Sequence, residues 1–460
     1  MTSSLFRLVN DIIVPKDLIP ASSIQTKEEA DYYGGLIGKT LIPFDEICDL
    51  MKHMDLSSEK VYFSTKGVSS YYYYDAPAVL VEMFGAGERE LDLLDTSERI
   101  HQALRAANES VLEGDYKRLF MHADNRIRIH LYNCLFDQIP ADQRYDLFLE
   151  VYQSGEYGFG HFRPDILEHV WDDQTERYKE QIKEKLDALS SGNEITVYRG
   201  HTSRSTSPEK AYSWTTSLHT ALFFSNRFEE EGDVLKGVVK KQHVLDYVKD
   251  EGGEEEVLVH PDSVCNRMTM PLLKASEEIP HLEEMGLVDV YHDYGSELEE
   301  EWFKDPYGTH GVLHTKRVLL HVLSLSEALQ LSEDDQSILC EAALYHDIGR
   351  THDGVDSEHG RKSVEKMKEL GITPGLPIES EQIMAHIITY HAYSDEETDQ
   401  LIQNEVEEEW QDKTKELLHI FKDADGLDRV RLGDLDVAQL RTKEAVERPS
   451  FALQLYRGIR

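Results

Sequence analysis

The stretch Ile338 to Arg350, "ILCEAALYHDIGR", decides how the C-terminal half of this chain is read. Placed on a helix, Leu339, Ala342 and Ala343 form an apolar stripe at steps of three and four residues. Continuing the stripe lands on His346 and Asp347, where a core residue is expected. A buried charge is costly unless it is paired or bound to a metal. The stretch therefore predicts a helix that delivers two ionisable groups to an interior.

The pattern recurs three times. In "HTKRVLLHVLSLSEAL", His314 shares a face with Val318, Val322, Leu325 and Leu329. In "IMAHIITYHAYS", Met384, Ile387 and Ile388 lead to His391, while His386 projects elsewhere. In "LLHIFKDADGLDR", Leu418 and Phe421 lead to Asp425, and Asp423 points to the opposite side. One inward histidine is commonly a satisfied core residue. Four helices that present imidazole or carboxylate to a shared interior instead predict a divalent-metal site. Mn, Fe, Ni and Zn suit that donor mixture, with Mg also a candidate. A metal there would generate hydroxide from water near neutral pH and bridge phosphate oxygens.

His314, the doublet His346-Asp347 and Asp425 in "ADGLD" resemble the H…HD…D signature of the HD-domain phosphohydrolase superfamily. The words "HGVLHTKRV" and "HDIGRTHDGVDSEHG" are similar to superfamily sequence, and the likeness covers roughly residues 300 to 440. The resemblance implies an all-α domain, placed here at 290–460, in which those four residues hold one metal. Members with extra histidines hold a second metal, and His359 and His391 sit at positions similar to the additional ligands. By the same resemblance, His310, at i, i+4 with His314, would contact substrate. Arg350 would clamp a phosphate or serve as a surface ion-pair partner. The implied activity is hydrolysis of a phosphate ester or phosphodiester, a nucleotide being one such substrate. A helical module that keeps its metal only for stability is the alternative.

Earlier in the chain, "SGNEITVYRG" places a Ser-Gly-Asn turn before the alternating Ile195 and Val197, a strand that ends on Arg199. "SWTTSLHTALFFS" then reads as a short hydroxyl-bearing strand followed by an apolar helix, and in "GGEEEVLVHP" three glutamates run into Val257-Leu258-Val259. An arginine, a hydroxyl strand and a Glu-x-Glu entering a strand resemble the R–[ST]–E arrangement of NAD-using ADP-ribosyltransferases, over about residues 190 to 265.

That resemblance implies that Arg199 grips the dinucleotide phosphates, beside Gly200. Thr215, Thr216 and Ser217 would brace the pocket and the glutamate. Glu256 matches the catalytic glutamate, stabilising an oxocarbenium-like sugar and holding a ribose hydroxyl. Glu254 matches the glutamate that positions or deprotonates the acceptor, and Glu255 would turn to solvent. Thr-Thr-Ser replaces Ser-Thr-Ser with the hydroxyls kept, and the run of three glutamates leaves the register open by one residue. Glutamate at both positions implies arginine on a protein substrate as acceptor. A non-catalytic module binding NAD or protein is the alternative reading.

The fold expected is therefore α+β and multidomain. Residues 1–95 carry no motif, although the tyrosine run Tyr71 to Tyr74 suggests a strand or core edge. An ADP-ribosyltransferase-like domain is expected at 96–275, with a helical lobe at 96–190 and an NAD-binding core at 191–275. "EEIPHLEEMG" reads as a linker before the helical domain. The net charge of -40, from 88 acidic against 48 basic residues, repels phosphate backbones and argues against general nucleic-acid binding. Cys48, Cys134, Cys265 and Cys340 form no CxxC pair, which speaks against a zinc ribbon or disulfide framework and for a reducing cytoplasm. Neither a secretory apolar segment nor a membrane span of ~18 apolar residues is legible. Transferase and hydrolase in one chain suit a toxin or an effector delivered into a host cell. Such a pair could act in sequence: the first site attaches ADP-ribose and the second cuts its pyrophosphate.

Overall fold

The computed structural model describes residues 13, 15–64, 69–83, 90–154, 159–227, 230–249 and 255–458. The chain divides into two compact units, Met1–Glu184 and Lys185–Arg460. It is a mixed α+β protein with a sheet-containing N-terminal region and an all-helical C-terminal region. None of the described helices is long and apolar enough to cross a membrane.

The first unit holds a four-stranded antiparallel sheet formed in chain order by β1 (Ile19–Pro20), β2 (Val61–Phe63), β3 (Tyr71–Asp75) and β4 (Val79–Glu82). The tyrosine run is β3, and both of its faces are covered. Tyr71 and Tyr73 pack with Ile47, Met51 and Phe63, whereas Tyr72 and Tyr74 pack with Ile13, Leu18 and Ile127. Side chains alternate across a strand, so four consecutive buried tyrosines require a layer on each side. The helices of this unit are α1 (Lys27–Ile37), α2 (Phe44–His53), α3 (Glu90–Glu113), α4 (Tyr116–His122), α5 (Arg128–Leu135), α6 (Ala141–Gln153) and α7 (Pro164–His169). The next helix, α8 (Glu176–Leu189), runs across the division at Glu184.

The second unit opens with β5 (Glu194–His201), β6 (Ser213–Thr215), α9 (Leu218–Ser225), β7 (Asp233–Lys240), β8 (Val244–Lys249), β9 (Glu255–Val259) and β10 (Cys265–Thr269). The strands form one antiparallel sheet in the order β10-β7-β5-β6-β9-β8. Gly200 on β5 lets α9 approach: a Cβ there would lie 2.3 Å from the Ala221 carbonyl oxygen and 2.4 Å from the Ser225 nitrogen.

The helical region comprises α10 (Ala275–Glu284), α11 (Leu287–Ser296), α12 (Val312–Ala328), α13 (Glu333–Tyr345), α14 (His359–Leu370), α15 (Ile378–Tyr390), α16 (Asp395–Glu405), α17 (Gln411–Leu427), α18 (Lys443–Val446) and α19 (Pro449–Gly458). The segment read as a linker lies mostly within α10. Pro280 removes one backbone donor there, but the burial of Leu282 against Leu320, Phe451 and Leu455 holds the helix in place. Glu278 is buried too, bonded to Ser324 Oγ and to Arg448. Sheet and bundle share one core, in which Ala221, Leu222 and Val234 join Val318, Leu339 and Ile387. The apolar face of α9 finds its partners in the bundle.

Candidate metal centre and strand-mouth cluster

The apolar stripes end where the sequence places the ionisable groups. His346 follows the last residue of α13 and His391 follows the last residue of α15, both still in helical conformation. His314 lies in the first turn of α12, His359 opens α14, and Asp425 is near the end of α17. These five and Asp347 form two groups, His314/His346/Asp425 and Asp347/His359/His391, each with its ligand atoms within 4.8 Å of one another.

Asp347 stands between the groups. Its Oδ2 lies 3.4 Å from His314 Nε2 and 3.7 Å from His346 Nε2. Its Oδ1 lies 3.0 Å from His359 Nε2 and 3.9 Å from His391 Nε2. Asp425 Oδ1 is 3.4 Å from His314 Nε2 and 4.0 Å from His346 Nε2.

The other ring nitrogens fix the tautomers. His346 Nδ1 donates to the Ala343 carbonyl at 2.9 Å, His391 Nδ1 to that of Ile388 at 2.6 Å, and His359 Nδ1 to that of Asp356. His314 Nδ1 donates to Asp428 Oδ2 at 2.7 Å. With every Nδ1 carrying its hydrogen, each Nε2 turns a lone pair inward. Two such lone pairs face one another at 3.1 Å (His314 and His346), and two more at 2.8 Å (His359 and His391). That arrangement is repulsive unless a cation sits against both. Two imidazoles on one ion, each about 2.1 Å from it, have nitrogens roughly 3.0–3.4 Å apart. The donor set fits two divalent ions, one per group, with Asp347 shared.

The electrostatics agree. Burial pulls His346 down to about 4 and His391 to about 3, so both are neutral at physiological pH. Asp347 is held well below the ordinary carboxylate value, because His346, His314 and His359 outweigh the opposing effect of burial. His314 is raised: burial and Arg431 oppose this, but Asp347 and Asp428 prevail.

Other expected residues sit differently. His310 precedes α12, which starts at Val312, so it does not share a helical face with His314. It bonds Asp353 at 3.0 Å, with its ring 5.8 Å from that of His314. Arg350 is tied to the buried Asp347 Oδ1 at 2.8 Å and to the Gly354 carbonyl at 3.3 Å. Asp423 does turn away from the His/Asp cluster, and it is buried where it accepts from the backbone of Arg441 and Thr442. His386 Nδ1 lies 3.2 Å from the Tyr390 hydroxyl.

In the sheet, β5, β6 and β9 are neighbours and gather Arg199, the hydroxyls and Glu256. Arg199 NH1 donates to the Ser213 carbonyl at 2.6 Å, and Ser213 Oγ donates to Glu256 Oε1. Thr215 pairs in register with Glu256. Thr216 Oγ1 bonds Glu255 Oε2 at 2.6 Å rather than Glu256, while Ser217 caps α9 by accepting from Thr220. Glu255 is not left to solvent: Lys249 at 2.7 Å and Thr216 hold it below its ordinary pKa. Gly200 serves the packing of α9. Glu254 lies outside the described residues.

Sequence reasoning missed two residues. Ser213, two positions before Thr215, shares its strand face and so was findable from the alternation alone. Asp428 stands three residues after Asp425, just past the end of α17. No curated protein and no solved structure matches the chain, and no match links residues 190–265 to ADP-ribosyltransferases. Residues 311–430 match the family model of the HD domain. The matched segment, in which an HD domain is detected, contains all six residues of the His/Asp cluster, and the match supports a metal-dependent phosphohydrolase.

Proposed function

We propose that the bundle is a dinuclear phosphohydrolase acting on a nucleotide or related phosphoester. The observation that carries this is the division of the two oxygens of Asp347 between two imidazole pairs. Divalent ions bound there would lower the pKa of water and polarise phosphoryl oxygens. His314, His346 and Asp425 would hold one, His359 and His391 the other, and Asp347 both. His310, which bonds Asp353, would pass a proton to the leaving oxygen. Arg350 neutralises Asp347 and would have to leave it to reach a phosphate. Purified protein with a panel of nucleotide phosphoesters should show hydrolysis that chelation stops, Mn²⁺ restores and His346→Ala abolishes. Turnover that survives both chelation and His346→Ala overturns the reading.

A second activity is favoured by the contact chain Arg199–Ser213–Glu256 on three adjacent strands. In this reading NAD binds against Arg199, and Glu256, braced by Ser213, stabilises the electron-poor ribose as nicotinamide leaves. The acceptor is an arginine on a protein. Nicotinamide release from NAD, lost in Glu256→Gln, supports transfer; no release from the unaltered protein leaves the sheet as a binding module. Where both sites act on one product, AMP should appear only with NAD and acceptor present, and His346→Ala should stop it.

A further inference from the structure

We infer that Asp428 is a positioning residue that sets the strength of His314 as a metal ligand and makes the two halves of the cluster unequal. The inference rests on the metal reading above and deepens it.

Three of the four imidazoles donate Nδ1–H to a backbone carbonyl, those of Ala343, Asp356 and Ile388. Only His314 donates to a carboxylate, Asp428 Oδ2 at 2.7 Å. A carboxylate behind an imidazole fixes the ring and makes its other nitrogen a stronger donor. Asp428 is itself fully buried. Arg317 grips it in two-pronged fashion, Nε to Oδ1 at 2.5 Å and NH2 to Oδ2 at 3.0 Å. Arg431 adds a bond to Oδ2 at 3.2 Å. Arg317 in turn lies over the Tyr456 ring at 5.3 Å.

One turn of chain delivers both parts. Asp425 near the end of α17 faces the cluster, and Asp428 starts the following 3-10 turn behind His314. Arg317 comes from α12, one turn beyond His314. The ligand and its support are therefore fixed by the same two elements. The His314/His346/Asp425 group should fill first, and Asp428→Asn should weaken it selectively, because the amide keeps one acceptor oxygen but loses the charge.

The test is equilibrium dialysis with Mn²⁺ on the full chain, comparing the unaltered protein, Asp428→Asn and His346→Ala. Support of this kind is typically worth 10–100-fold in metal affinity. Asp428→Asn should therefore lose about that factor at the tighter site and little at the weaker one. Arg317→Lys, which keeps a cation beside Asp428, should lose less. If His346→Ala reduces binding and Asp428→Asn does not, the Asp428 inference falls alone. If His346→Ala also leaves binding intact, the metal reading itself falls. For an Asp428→Asn protein that does not fold, histidine ¹⁵N NMR of the unaltered protein loaded with Zn²⁺ decides. A hydrogen on His314 Nδ1 with the metal on Nε2 is expected, and the opposite tautomer overturns the inference.

Discussion

Replacing Asp347 by asparagine tests the shared carboxylate without changing its shape. Asparagine keeps one carbonyl oxygen, but its amide group cannot bind a cation, so one of the two groups loses its only carboxylate. The group left with His359 and His391 alone should then release its ion, and metal content should fall from two equivalents to one. Each ion present at 100 times its dissociation constant stabilises the folded state by about 2.7 kcal/mol, so two contribute about 5 kcal/mol. A unit the size of Lys185–Arg460 has a melting entropy of roughly 0.6 kcal/mol/K, which converts this to an upshift of about 9 °C. Asp347→Asn should roughly halve the upshift. Losing an ion worth several kcal/mol of charge stabilisation should also slow hydrolysis by about 10²-fold or more. The assay is thermal melting with and without Mn²⁺, alongside metal analysis and turnover. Two equivalents bound, with the full upshift retained, would refute the shared-carboxylate account.

Two further outcomes are expected. Gly200→Ala drives a Cβ against backbone atoms of α9; overpacking of this kind costs about 1–3 kcal/mol, so melting should fall by roughly 2–5 °C. An unchanged melting point would show that α9 can shift. Burial, aided by Glu297, raises Glu341 from 4.5 to about 7. The folded state therefore holds this proton more tightly than the unfolded chain. The stability it contributes is full below about pH 4.5 and is lost as pH rises through 7, by about 3 kcal/mol at most. Glu341→Gln should flatten that part of the stability profile, as read by denaturant unfolding between pH 5 and 8; a profile identical to the unaltered protein's would contradict it.

What was legible in the sequence was the part governed by periodicity. Apolar steps of three and four carried the reading from Leu339 to His346 and from Ile387 to His391, because a helix must bury whatever lies on its apolar stripe. The tyrosine run read as a strand or core edge, but not the two layers that bury its alternate faces, which come from distant segments. Partner choice was hidden throughout. Nothing local shows that Arg350 bonds Asp347, or that Asp423 spends its buried charge on the Arg441–Thr442 backbone. Residues 277–286, read as a linker, lie mostly in a helix whose Leu282 is buried against Phe451 far along the chain, a contact no local pattern shows. Glu255 was assigned to solvent by alternation, whereas Lys249 on the adjoining strand draws it in.

The central claim is that six side chains surround two cations. Anomalous X-ray scattering from crystals grown with Mn²⁺ tests it most directly. Two peaks roughly 3.5–4 Å apart are expected, one among His314, His346 and Asp425, the other beside His359 and His391, with Asp347 between them. No peak at these residues, or manganese bound only elsewhere, would contradict the account.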